Sequence, residues 1–326
     1  MNLKSRTLEM LIYATYYAPR GRQRLYMLGA ELGQRYLCPT DHLVGIIGSE
    51  GSGKSTLIRG LFPGLELTND DEGVNIRPTP IYDFAPGNFF APHTYHVDIR
   101  YELAFRQKYQ IVEAIRAAID HGRRVVVEHF DLIYDALGLN AHILFGIGEE
   151  VVVARPSIFG PFPPAIKRVV DKTIRFRLMA HSAQDITTSI LTNVYGYQQT
   201  MFHSDVKHGF VVKFTDPPRI DIAELENRVL EIIARNEPIC ALDENHIRIG
   251  PLELPCTGTR THVASTGQIE NFRLVRQLKY DPFTHDHMLV GMVGRREIAG
   301  LEDLSYFVEA TEGGSAAVPA PAKDTP

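Results

Sequence analysis

The chain has 326 residues, 44% of them hydrophobic and 22% charged, the composition of a globular protein long enough for two separately cored domains. No run approaches the roughly 18 to 20 apolar residues of a membrane span, and the start MNLKSRTLEMLIYATYY lacks the layout of a secretory signal, so a cytoplasmic location with no membrane association is expected. The formal net charge of -5 gives no general attraction for nucleic acid, which leaves tRNA contact unsupported by charge, and three widely separated cysteines, Cys38, Cys240 and Cys256, indicate reduced thiols.

Residues 1–41 carry Leu8, Leu11, Ile12, Met27, Leu28 and Leu32 among Arg and Tyr, which predicts a helical lead-in. Arg20, Arg22 and Arg24 within it read as a solvated helix face. Next, the apolar run Leu43 to Ile47 predicts a buried parallel strand that breaks into Gly48-Ser49-Glu50-Gly51-Ser52-Gly53-Lys54-Ser55-Thr56, followed at once by helix-forming residues. This fits the GxxxxGK[ST] phosphate-binding loop in full. Gly48, Ser49, Gly51, Ser52, Gly53 and Thr56 would bring backbone N–H groups around a phosphate, Lys54 would reach the β and γ phosphates, and the Ser55 hydroxyl would hold Mg²⁺.

After a helix over Ser55 to Leu61, the segment Leu65 to Glu72 reads as a short strand ending in acids, and Asp70 and Asp71 are candidates for a base that accepts a hydroxyl proton, or else form a turn. Pro78 to His96 is rich in Pro, Gly and aromatics and reads as an irregular lid or acceptor wall; His93 and His96 within it are more simply a polar pair than metal ligands. Tyr101 to His121 predicts a helix. Arg123 to Asp131 then predicts a buried strand ending in acids, the pattern that delivers a carboxylate for Mg²⁺ beside a phosphate loop, with Glu128 the first choice and Asp131 the second. A further strand over His142 to Ile147 completes a βαβ series.

Over about residues 40 to 150 the chain resembles the uridine kinase and related small-molecule kinase branch of P-loop proteins, through GSEGSGKST, the acidic turn at Asp70-Asp71, and VVVEHFD. The resemblance implies an α/β P-loop NTPase domain over residues 42–150 with a parallel sheet, binding ATP and Mg²⁺. Those kinases continue into an arginine-rich lid, and no such arginine run follows here.

From Glu149 onward the character changes. Val151 to Ala154 predicts a strand, Pro156 to Pro164 a turn, and Met179 to Leu191 a helix on which His181 and Asp185 stand one turn apart on one face, the spacing of paired metal ligands and also of a surface pair. Gly209 to Phe214 predicts a strand and Asp221 to Asn236 an amphipathic helix capped near Asp221. Three stretches in order, Ile174 to Asp185, Gly209 to Ile239 and Ile247 to Leu274, resemble the second additional (editing) domain of alanyl-tRNA synthetase, shared with threonyl-tRNA synthetase and free-standing editing proteins. The resemblance implies an α+β domain over residues 151–310 and places that family's Zn²⁺ ligands on His181, Asp185, Cys256 and His262. Asp185 stands where the family has His, and five residues separate Cys256 from His262 where the family has three. Residues 311–326, small, polar and proline-rich, are expected to be a disordered tail.

The functions expected from these parts are three. The first is a small-molecule kinase or ATPase that binds a nucleoside triphosphate and has a zinc domain recognising an amino-acid-like substrate. The second is a hydrolase deacylating misacylated tRNA or an amino-acid derivative. The third is a nucleotide-dependent amino-acid or tRNA sensor without catalysis.

Overall fold

A computed structural model describes residues 11–68, 80–82, 92–197 and 201–295. Asp70 and Asp71, and the tail over 311–326, lie outside these residues. The first unit is built on a six-stranded sheet of β1 (Ala14–Tyr17), β2 (Leu43–Gly48), β3 (Thr94–Asp98), β4 (Arg124–Glu128), β5 (Ile143–Ile147) and β6 (Glu150–Ala154), ordered β1-β6-β5-β2-β4-β3. Its helices are α1 (Arg22–Tyr36), α2 (Lys54–Leu61), the single turn α3 (Ile99–Glu102), α4 (Lys108–Asp120) and the short α5 (Tyr134–Leu137). β2 is buried along its whole length, as expected of a strand covered on both faces, and it pairs in parallel with both β4 and β5.

The sheet is mixed rather than parallel throughout. β5 and β6 are joined only by Gly148 and Glu149, and so short a link permits an antiparallel hairpin but no crossover. β6, expected to open the second unit, therefore belongs to the first sheet and pairs there with β1. The lead-in is likewise not purely helical, because Ala14 to Tyr17 forms that edge strand before α1 begins.

Leu65 to Thr68 does not form a strand, and the neighbour of β4 is β3, inside the stretch read as irregular. Tertiary pairing overrides local composition here: Thr94, Tyr95 and Val97 suit a strand, and Tyr95 and Val97 are buried in the sheet core.

The second unit is organised on α6 (Pro163–Asn193), whose prolines occupy the first turn, where a missing N–H costs no hydrogen bond. Ile166 and Val170 near its start pack into the first core, whereas Phe176 to Leu191 supply the second. Around that second core lie β7 (Met201–Val206), β8 (Gly209–Phe214), α7 (Ile222–Ala234), β9 (Ile239–Ala241), β10 (His246–Ile249), β11 (Leu252–Pro255), β12 (Arg273–Leu274), β13 (Lys279–Tyr280) and β14 (His287–Met292). The strands form two antiparallel sheets, β11-β10-β9 and β12-β14-β8-β7, with β13 on β14. Asp221 caps α7 as predicted, accepting from the N–H groups of Ala223 and Glu224. The architecture is thus an α/β unit followed by an α+β unit, and no described helix is long and apolar enough to cross a membrane.

A buried polar seam joins the two units. Arg20, expected on a solvated face, is 6% exposed and donates to Gln184 Oε1 at 2.9 Å, Ser204 O at 2.9 Å and Gly209 O at 3.1 Å, with Asp205 at 3.0 Å as counter-ion. Close by, Glu149 accepts from the His208 backbone N–H, beside Lys207 and Glu150. Burial, and then the charge of Glu150, push the Glu149 carboxyl up to about 8. The folded state therefore holds this proton where the unfolded chain has released it. That contribution is complete below about pH 4.5 and is lost as pH rises through about 8. Stability should fall by up to about 1.4 kcal/mol per pH unit across this window. Urea unfolding at a series of pH values should show that decline, and Glu149→Gln should flatten it.

Candidate functional site

The Gly48 to Thr56 segment follows β2 and enters α2 as predicted. Gly51 (φ 72°) and Gly53 (φ 90°) adopt the left-handed conformation that turns the loop, and a side chain at Gly53 would meet Leu25 Cδ2 at 2.4 Å. Lys54 is only 6% exposed; its ammonium donates to Ser49 O at 2.9 Å and lies 3.5 Å from Glu128 Oε1.

Glu128 ends β4, and its backbone register partner on β3 is Asp98. Two parallel strands thus bring two buried carboxylates to the same edge of the sheet, and Asp98, Glu128 and His129 each offer a ligand atom within 4.8 Å of the others. His96 on β3 adds an imidazole 3.4 Å from Glu128 Oε2. Its Nδ1 accepts the Thr68 N–H at 3.1 Å, so a neutral ring carries its proton on Nε2, facing Glu128. Burial opposes the Glu128 charge, but His96 and Lys54 outweigh it and hold the carboxyl below its ordinary range. Burial and the Lys54 charge push His129 down.

Lys54, Asp98, Glu128 and His129 face a cavity of about 610 Å³ that runs between the two units. Glu50, Gly51, Gly53, Lys54, Ser55 and Thr56 line it from the loop, with Asp98, Glu128 and His129 beside them and Gly258 to Thr261 opposite. Arg20, Arg22, Arg59, Arg100, Arg177 and Arg260 complete a wall rich in cations. Gly48, Ser49 and Ser52 support the loop from behind: Ser49 Oγ donates to Asp171 at 2.8 Å, and Ser52 is fully buried. Asp131 is not among the lining residues; the left-handed turn at His129 starts a 3-10 turn that carries the chain away after Glu128.

Arg177 is the largest fully buried side chain among the described residues, and the sequence suggested no role for it. It is 1% exposed and braces the loop by donating to Ser52 O at 2.6 Å and Pro19 O at 2.7 Å, while burial pushes its pKa down to about 10. Arg177→Met would leave two buried carbonyls without donors, at about 1 to 3 kcal/mol each. A lower thermal midpoint is expected, measured by a thermal melt, with only partial rescue by Arg177→Lys, whose ammonium lacks the guanidinium's two-pronged geometry.

The second cluster lies behind the Gly258 to Thr261 wall. His181 and Asp185 on α6 meet Cys256 and His262 of the loop after β11, and all four donor atoms lie within 4.8 Å of one another. Cys256 Sγ is 3.5 Å from His181 Nε2 and 3.8 Å from His262 Nε2; Asp185 Oδ2 is 2.9 Å from His262 Nε2 and 3.8 Å from His181 Nε2. Bonds of about 2.0 to 2.3 Å to a tetrahedral metal give donor-to-donor edges of roughly 3.3 to 3.8 Å; the three edges at 3.5 to 3.8 Å are of that length, and the 2.9 Å Asp185–His262 edge is a hydrogen-bond distance that would open by a few tenths of an ångström around an ion. Both imidazoles direct Nε2 into the set while Nδ1 contacts a carbonyl, His181 to Thr261 O at 3.0 Å and His262 to Thr259 O at 3.3 Å. Burial and the neighbouring His262 push His181 well down, which favours the neutral ring a metal needs. Burial works against the Asp185 charge, and His181 and His262 more than offset it, holding the carboxyl down at about 2. Burial pushes the Cys256 thiol up, with Asp185 adding to the shift.

The sequence reading missed Asp98, His129 and the arginines. Thr94 to Asp98 carried a usable signal: like Val125 to Glu128, it is a short run of strand formers ending on an acid. No protein-family model matches this sequence, and no curated protein matches it significantly.

Proposed function

We propose that this chain binds ATP with Mg²⁺ in the cavity between its two units and transfers the γ-phosphoryl group to a small hydroxyl-bearing acceptor. The observation that carries the reading is the convergence of the glycine loop, Lys54, Glu128 and Asp98 on one cavity. Its size suits a nucleotide-scale ligand. The loop amides and Lys54 hold the β and γ phosphates, and Arg177 keeps the loop in shape from below. Ser55 and Glu128 are the residues that would hold Mg²⁺. Bound there, the ion would neutralise charge developing on the phosphate oxygens. Asp98, at the end of the strand beside β4, is placed to orient the acceptor hydroxyl and take its proton.

His181, Asp185, Cys256 and His262 would hold Zn²⁺. Four protein donors fill a tetrahedral shell, the donor count of a structural site rather than of a hydrolytic one with an open position. This favours a phosphotransferase over a metal-dependent deacylase. The test is ADP formation from Mg-ATP by purified protein, alone and with pools of nucleosides, amino acids or uncharged tRNA, using Lys54→Ala as control. Turnover that one pool stimulates and Lys54→Ala abolishes supports the reading and names the acceptor class. Tight nucleotide binding with no stimulated turnover overturns it in favour of a nucleotide-dependent sensor.

A further inference from the structure

The loop that closes the four-donor cluster is also a wall of the nucleotide cavity. Cys256 and His262 face α6, whereas Gly258, Thr259, Arg260 and Thr261 between them line the space opposite Lys54. The contact with the phosphate loop is made by main chain. A Cβ on Gly51 would lie 2.7 Å from the Arg260 carbonyl oxygen, and one on Gly258 would lie 2.2 Å from Arg20 O and 2.9 Å from His181 Cε1. Gly258 is therefore wedged between the seam arginine and a cluster histidine, where no larger residue fits. Thr257 O accepts the Arg22 N–H at 3.0 Å, tying the same loop to the start of α1.

We propose that the longer Cys256 to His262 loop supplies Arg260 to the triphosphate, and that metal bound by His181, Asp185, Cys256 and His262 fixes this loop, so metal occupancy sets nucleotide affinity. The inference rests on the nucleotide reading above and adds a binding residue and a coupling to it. Its physical basis lies in the second nitrogen of each imidazole. Ligation through Nε2 leaves the proton on Nδ1, so His181 donates to Thr261, whose Oγ1 lies at 2.7 Å and O at 3.0 Å, and His262 donates to Thr259 O. The residues on either side of Arg260, Thr259 and Thr261, are then pinned by the same two rings that hold the metal. Within the loop, Gly258 N–H donates to Cys256 Sγ at 3.3 Å and Thr261 N–H to Gly258 O at 2.9 Å, which passes the constraint along the backbone. A second route runs through α6, where Arg177 holds Ser52 O one turn before His181. The cation is of the kind phosphoryl transfer requires: the first unit has no arginine run after β4, and the second unit brings Arg260 to the cavity instead.

The test measures binding rather than turnover. A fluorescent methylanthraniloyl derivative of ATP is titrated with Mg²⁺ into zinc-loaded protein, into protein stripped by a chelator and then freed of it, and into zinc-loaded Arg260→Gln. Stripping is expected to weaken nucleotide binding about 10-fold, within the roughly 5- to 150-fold range of site-to-site coupling, and saturating nucleotide is expected to tighten zinc binding by the same factor. Arg260→Gln should weaken nucleotide binding about 10-fold, as loss of one charge-assisted contact, while elemental analysis still finds one zinc per chain. If stripped protein loses its helical circular dichroism, Arg260→Gln decides alone, because the exposed loop side chain can change without disturbing a core. Nucleotide affinity unchanged by both stripping and Arg260→Gln overturns the inference and leaves the nucleotide site standing. Zinc-loaded protein that binds no nucleotide overturns the nucleotide reading itself, and the coupling with it.

Discussion

On the proposed reaction, Glu128→Gln is expected to lower turnover of Mg-ATP by about 10²- to 10³-fold, the range for loss of one electrostatic contact made in the transition state, while metal-free nucleotide binding holds or tightens. The substitution keeps the shape of the side chain and removes one negative charge. That charge lies 3.5 Å from Lys54 and 3.4 Å from His96, in a position 6% exposed, so water does little to screen it. In the ground state it repels a triphosphate, and its loss therefore does not weaken binding. In the proposed transition state its role would be to hold the ion, which an amide does poorly. Lys54→Ala should behave differently, weakening binding and turnover together, because in the proposed complex the ammonium would contact the phosphates at every stage. Steady-state ADP release and nucleotide titration on both variants separate the two patterns. A Glu128→Gln protein that keeps turnover within a few-fold of wild type would remove this carboxylate from the chemistry.

The strand–glycine loop–helix arrangement was legible because its signal is local: glycines, Lys54 and Ser55 are adjacent in the chain and follow directly on an apolar strand. Glu128 was legible for the same reason, as the acid at the end of a continuous valine run. Asp98 was not, because β3 is only five residues long and follows a stretch of Pro, Gly and aromatics that masks its start. Attention fell instead on Asp70 and Asp71. Arg20 and Arg177 were illegible in a deeper sense. Arginine is ordinarily a surface residue, and these two are buried only because partners more than 120 positions away, Asp205 for one and Ser52 O for the other, satisfy them. His181 and Asp185 could be paired from their helical spacing alone. Joining them to Cys256 and His262 needed the resemblance to the editing domain, and the loop between the last two carried a consequence that only the cavity made visible.

Chelation of the metal is expected to lower the thermal midpoint of the second unit by roughly 10 °C, and Cys256→Ala should start near that lower value and respond no further to chelator. The four donors tie the middle of α6 to the loop after β11, across a separation of 75 residues between His181 and Cys256. Cys256 is also part of the second core, together with Phe176, Met179, Val263 and Phe272. Metal that binds only the folded chain, present at about 1,000 times its dissociation constant, contributes about 4 kcal/mol. For a unit of this size each kcal/mol moves the midpoint by roughly 2 to 4 °C. Without metal the thiol stays protonated, because burial and the Asp185 charge oppose the thiolate, and only the His262–Asp185 hydrogen bond at 2.9 Å is left to tie the loop to α6 through the cluster's charged groups. Cys256→Ala removes that thiol at the cost of a small void, so the variant and the stripped wild type should unfold at similar temperatures, and the two changes should not add. Thermal melts with and without chelator, paired with zinc content per chain, measure this directly. Equal midpoints for loaded and stripped wild type would show that the four residues hold the fold by their mutual hydrogen bonds alone, and the case for a structural metal would end there.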